Sequence, residues 1–201
     1  MQSKVKSEGL MAKVKRQLLA IFISILAVMT VSLPTHAIEL GVSFQQGDQS
    51  DSKGYNLAIS DNFSPRGKFY WTLAYNKLDK VFVEWNDSAL NFPVESIETS
   101  LSYRWSFRKP SMRQVGFELQ LGAATSLTDN KFFWTELDDE KYFSETGQVT
   151  GFVALSSRYS FTPQASLQFG IKHYPNFYEF GSISSAFVGF NYSFGRKYYG
   201  F

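Results

Sequence analysis

The sequence predicts an all-β fold: an eight-stranded antiparallel transmembrane β-barrel that follows a cleaved leader. Three observations predict it. Apolar and polar residues alternate with period two in eight stretches after residue 37. The links between those stretches alternate between short and long. The chain of 201 residues also has no cysteine, so an exported domain of this size needs a good core or a closed sheet in place of disulfides.

The leader comes first. Lys4, Lys6, Lys13, Lys15 and Arg16 precede an apolar run from Leu18 to Leu33, and Pro34-Thr35-His36-Ala37 supplies a helix breaker and a small residue. A basic stretch, an apolar stretch and a small-residue cleavage site are the layout of a secretory signal peptide. The expected division is therefore 1–37 leader and 38–201 barrel. The leader holds five of the 20 Lys+Arg and one of the 18 Asp+Glu, which leaves 15 against 17 in the remainder. The sequence pI of about 8.6 thus belongs to the leader. With no basic cluster interleaved with aromatics after residue 37, no nucleic-acid partner is expected.

The alternation is clearest over 96–108. Ile97, Thr99, Leu101, Tyr103, Trp105 and Phe107 lie on one face, and Ser96, Glu98, Ser100, Ser102, Arg104, Ser106 and Arg108 on the other. Val115, Phe117, Leu119 and Leu121 continue it, then Val153, Leu155, Tyr159 and Phe161. Leu167, Phe169 and Ile171 follow, and the last stretch has Ala186, Val188, Phe190, Tyr192 and Phe194. Earlier come Leu40, Val42 and Phe44; Tyr55, Leu57 and Ile59; and Phe69, Trp71, Leu73 and Tyr75. The eight strands are expected at 38–47, 54–63, 69–79, 95–108, 115–127, 149–161, 165–174 and 183–194. Most match the roughly 9–11 residues that a tilted strand needs to cross a bilayer.

The links supply an independent argument. Those at 64–68, 109–114 and 162–164 are short and contain Pro65, Pro110 and Pro163, residues that preset turns. The others, 48–53, 80–94, 128–148 and 175–182, are generally longer. Short turns at one rim and long loops at the other are the pattern of outer-membrane barrels, with the turns in the periplasm.

Alternation alone does not decide which face looks outward, and a soluble periplasmic binding barrel would alternate as well. Three features favour the membrane. The polar face is built of Ser, Gly, Gln, Glu and Arg, which fill a narrow lumen as a hydrogen-bonded network but make a poor ligand pocket. Aromatic residues gather near strand ends, as interfacial girdles do. The two kinds of link segregate to opposite rims. Where Leu101, Tyr103 and Trp105 point is the deciding observation.

Two resemblances rest on particular residues. Gly189-Phe190-Asn191-Tyr192-Ser193-Phe194 resembles the C-terminal signature by which the outer-membrane assembly machinery recognises its clients, although residues 195–201 follow and Phe201 competes as the terminus. Across the mature chain the architecture resembles the small eight-stranded outer-membrane barrels of the OmpA/OmpX type. This implies an integral outer-membrane protein contacting lipid and lipopolysaccharide, with an extracellular surface partner open. Lys172-His173-Tyr174-Pro175-Asn176 resembles the His-x-Ser-Asn motif of outer-membrane lipid A deacylases. In that family the histidine and serine face lipid, and an acidic residue on the last strand orients the histidine. His173 has the parity of Ile171, but Pro175 stands where the nucleophile would be, and the last strand offers Ser184 and Ser185 in place of a carboxylate. The catalytic candidates, were the chain an enzyme, are His173 and Ser184, which shares the parity of Ala186 and Val188. His173 and Tyr174 otherwise read as residues of the membrane interface.

Other clusters read as structure. Glu98, Arg104, Arg108, Glu118, Arg158 and Lys172 share inward parity and are expected to pair in the lumen. Phe132-Phe133-Trp134 and Asp138-Asp139-Glu140 are expected in a solvated acidic loop at the rim, without the spacing of a calcium loop. No cofactor or metal is expected. The function read from these residues is structural or surface-interacting, with a deacylase-like enzyme of rearranged site as the alternative.

Overall fold

The computed structural model describes residues 38–47, 52–64, 68–85, 88–106, 115–134 and 139–194, with the side chains of Trp85, Ser88, Trp134 and Asp139 left aside. The expected leader, Pro65, Arg66, Phe107, Arg108, Pro110, Asp138 and residues 195–201 with Phe201 lie outside the described residues. Among the described residues ten strands occur in order: β1 Ile38–Gly47, β2 Lys53–Asn62, β3 Phe69–Trp85, β4 Ser88–Ser106, β5 Val115–Ser126, β6 Asn130–Trp134, β7 Asp139–Ser144, β8 Val149–Ser160, β9 Ala165–Tyr174 and β10 Ile183–Phe194. Eight of them close into one antiparallel barrel in the order β1-β10-β9-β8-β5-β4-β3-β2, and β6 and β7 form a separate hairpin.

Closure runs from Ile38↔Phe194 to Gly47↔Ser185, so the first and last strands leave no free edge. The period of the sequence fixes the register, because a slip by one residue would exchange the two faces. Cross-strand pairs confirm this: Leu101 stands opposite Trp71 and Leu121, while Glu98 stands opposite Ala74 and Ala124.

The turns follow from local hydrogen bonding. At 161–164 the Thr162 hydroxyl accepts the Ala165 N–H at 2.9 Å and the Gln164 N–H at 3.3 Å, folding the chain over Pro163. At 62–69 the Asn62 side chain accepts Ser64 N–H at 2.7 Å, and the Ser64 hydroxyl accepts Lys68 and Phe69 N–H at 3.0 and 3.1 Å.

At the opposite rim the structure corrects two expectations. Residues 80–94 are mostly strand, because β3 and β4 stay paired up to Trp85↔Ser88. This hairpin reaches about 23 Å beyond Leu78 at the rise of a strand. Residues 128–148 hold the β6–β7 hairpin, tied to β4 by the Asn130 side chain, which donates to the Pro93 carbonyl at 3.0 Å. The long loops are thus largely folded.

Candidate functional site

The outer surface carries the first functional feature. Leu101 is 59 % exposed, Ile171 61 % and Phe44 65 %, and Leu57, Leu119, Leu155, Phe169, Val188 and Phe190 are exposed with them. Trp105 points outward and Tyr103 stacks on it at 5.8 Å, so the apolar faces look out of the barrel, against the alternative of a soluble barrel with an apolar interior. A belt this large would aggregate in water and matches hydrocarbon instead. At the turn rim, Phe63, Phe69, Tyr103, Trp105 and Phe117 form a chain of ring contacts between 5.1 and 6.2 Å, a girdle at the interfacial level.

The lumen is polar and charge-balanced. Near the turn end Glu39 receives Arg158 at 2.8 Å and Arg104 at 3.0 Å, and Glu118 receives Arg104 at 2.7 Å and Arg158 at 3.2 Å. The Arg104 guanidinium also lies 3.7 Å from the centre of the Tyr70 ring. Higher up, Lys172 Nζ is 2.7 Å from Glu98, which also accepts Asn56 at 3.1 Å and the Tyr174 hydroxyl. Charges taken from water persist when paired and hydrogen-bonded in this way. The expected inward pairing therefore holds for Glu98, Arg104, Glu118, Arg158 and Lys172. Tyr174 corrects the reading of an interfacial tyrosine: it points inward and is buried.

The loop end closes differently. Residues 175–182 fold into the mouth of the barrel, and Phe177 and Tyr178 are buried there with Leu78, Val81, Val94, Phe143 and Ile183. Phe177 lies 4.6 Å from Tyr174 and 4.7 Å from Tyr178, ring to ring. Burial, and then the charge of Glu98, push the Tyr178 hydroxyl above its ordinary pKa, so it stays protonated. Sequence reading missed this cap, although the aromatic spacing in Phe177-Tyr178-Glu179-Phe180 was a signal for it. On the surface above, Glu140 bonds Lys131 at 3.0 Å and the Tyr142 hydroxyl at 3.1 Å, contacts that hold its carboxyl below the usual range. Such exposed pairs contribute little stability.

The structure brings His173 and Ser184 together. They face each other across β9 and β10, with Ser184 Oγ 2.9 Å from His173 Nδ1. Both lie on the outward parity near the loop rim. Among the described residues no carboxylate partners His173, and no group of three or more His, Cys, Asp or Glu could hold a metal. Pro175 is exposed beside them and Glu179 lies in the loop.

The sequence matches no protein-family profile and no curated protein. Comparison of folds does give matches. The N-terminal β-barrel domain of Pseudomonas aeruginosa OprF superposes with a TM-score of 0.52 at 13 % identity, over 80 % of this chain and 98 % of that one. This protein has the fold of the small outer-membrane barrels. Neisserial surface protein A gives a TM-score of 0.51 at 15 % identity, over 79 % and 97 % of the two chains. The outer-membrane enzyme PagL gives 0.50 at 12 % identity, over 77 % and 98 %. At such identities the likeness is one of fold.

Proposed function

We propose that this chain is exported behind a leader cleaved near Ala37 and serves in the bacterial outer membrane as an integral barrel with a structural or surface-interaction role. The observation that carries the reading is an outward apolar belt around a polar, charge-balanced lumen. Long loops lie outside and short turns in the periplasm. Charged residues in the links fit two distinct ends: Arg66, Lys68, Arg108, Lys109 and Arg113 at the turns, and a majority of acids at the loops, with Asp129, Glu145 and Glu179. An acidic rim favours cationic surface partners. Lipid and lipopolysaccharide surround the belt, and β10 presents the strand that the assembly machinery reads. The protein should fractionate with outer membranes and migrate faster on gels without heating. Recovery in the osmotic-shock periplasmic fraction would contradict the reading.

A lipid A deacylase-like acyl-ester hydrolase is the second reading, favoured by the 2.9 Å contact of His173 with Ser184 on the lipid side. The chemistry needs a nucleophile on one imidazole nitrogen and an orienting group on the other. Ser184 meets Nδ1, and Pro175 has no hydroxyl. A pair without an orienting carboxylate is a poor catalyst, so the structural role is preferred. Expressing the protein should leave the mass spectrum of lipid A unchanged. Loss of one acyl chain, abolished by His173→Ala, would make it a hydrolase with a rearranged site.

A further inference from the structure

The interior changes character along its axis. Between the Glu98–Lys172 pair and the Glu39–Arg104–Glu118–Arg158 quartet lies a cavity of about 50 Å³. Its walls include Gln45, Asn56, Ser100, Gln120, Gln168 and Asn191, so it suits a few water molecules. From there to the turn end the lumen is lined with carboxylates, guanidinium groups, amides and hydroxyls. Above Glu98 comes a band of buried Asn76, Ser96 and Ser126, and beyond it the interior becomes largely apolar: Val81, Val94 and Phe177 are 0 % exposed and Leu78 1 %.

These layers oppose an ion unequally. In the polar layer an ion can exchange its water for side-chain oxygens or N–H groups, and charged side chains can shift to new partners. An apolar layer offers no such replacement, which is how hydrophobic constrictions gate. The cap is built from a loop rather than a barrel strand. Phe177 N–H bonds the Gly181 carbonyl at 2.7 Å, and Phe180 N–H bonds the Phe177 carbonyl at 3.0 Å, so the loop closes on itself. Its ties to the rest of the barrel include Glu179 N–H to the Phe143 carbonyl at 3.0 Å and the Thr150 hydroxyl to the Asn176 carbonyl. Tyr178 is held at φ 53°, in the left-handed region that a tyrosine rarely adopts, and Gly181 at φ 86°. Backbone held in such a region is typical of clamps and switches.

We propose that residues 175–182 form a hydrophobic gate over a hydrated lumen. With Phe177 seated the barrel is closed, and with Phe177 displaced water and small monovalent ions pass through the polar interior. The inference rests on the membrane-barrel reading, which the gel mobility of the unheated protein tests separately.

The test is current through planar lipid bilayers in potassium chloride, using the purified protein and variants that show the compact unheated band. Wild type should stay near the bare-bilayer baseline. Phe177→Ser, and separately Phe180→Ser, should raise the current on the order of tenfold, because a polar group breaches the apolar layer. Arg158→Gln, which disturbs the lower quartet and leaves the cap intact, should stay at the wild-type level. Baseline current from both cap variants, or conduction by Arg158→Gln alone, would overturn the gate. So would failure of both cap variants to fold, since the cap would then be a structural core.

Discussion

At position 39 a carboxylate points into the barrel, is 2 % exposed and meets both Arg158 and Arg104. Removing one member of a buried ionic network strands the others without compensation, at a cost of about 3–5 kcal/mol. Glu39→Ala should therefore lower the unfolding free energy by that much, read as a lower midpoint in urea, and an unchanged midpoint would remove the quartet from the account. Glu39 shares the parity of Ser43 and Gln45, opposite Leu40 and Val42, so alternation alone places it inside. A second residue-scale test concerns shape. A Cβ on Gly170 would lie 2.6 Å from the Phe187 ring and from the Leu155 carbonyl. Gly170→Ala should cost about 1–3 kcal/mol by overpacking, with a lower midpoint and no change in the wild-type gel pattern. A neutral result would mean that both the Phe187 ring and the neighbouring β8 backbone can give way at Gly170.

The barrel strands were legible in the sequence over the stretches where each keeps one phase of the period-two pattern. The upper hairpin was not, and the reason is local. β3 breaks register between Leu78 and Val81, so Asp79 and Lys80 shift the phase and the alternation stops looking like a strand. Pro93 on β4 reads as a loop residue for the same stretch. The β6–β7 hairpin is too short to show a period, and the cap is stabilised by contacts between segments far apart in sequence, which no local pattern carries. Accessibility tests this scale. Glu145→Cys and Glu179→Cys, at exposed sites, should react with a membrane-impermeant thiol reagent on intact cells. A cysteine at Phe177, which is 0 % exposed, should stay silent until the protein is denatured. Rapid labelling there would mean that the loop lies outside the mouth.

Across the whole molecule, one alternation serves two solvents. Odd and even residues of each strand separate hydrocarbon from a charge-balanced interior, and closure of β1 on β10 satisfies the backbone groups that lipid cannot. The same architecture explains why the site was only partly legible: parity put His173 and Ser184 on one outward face, while their 2.9 Å contact depends on the register of β9 with β10. The polar lumen and the lipid-facing belt are one claim, and a single measurement addresses it. Nitroxide labels are placed singly at Ser100, Leu101, Leu119, Gln120, Ile171 and Lys172 of the protein in bilayers, and their collision rates with oxygen and with a water-soluble nickel chelate are compared. The account predicts that Leu101, Leu119 and Ile171 favour oxygen, as lipid-exposed sites do, while Ser100, Gln120 and Lys172 do not. The reverse alternation, or chelate access at all six positions, would contradict it.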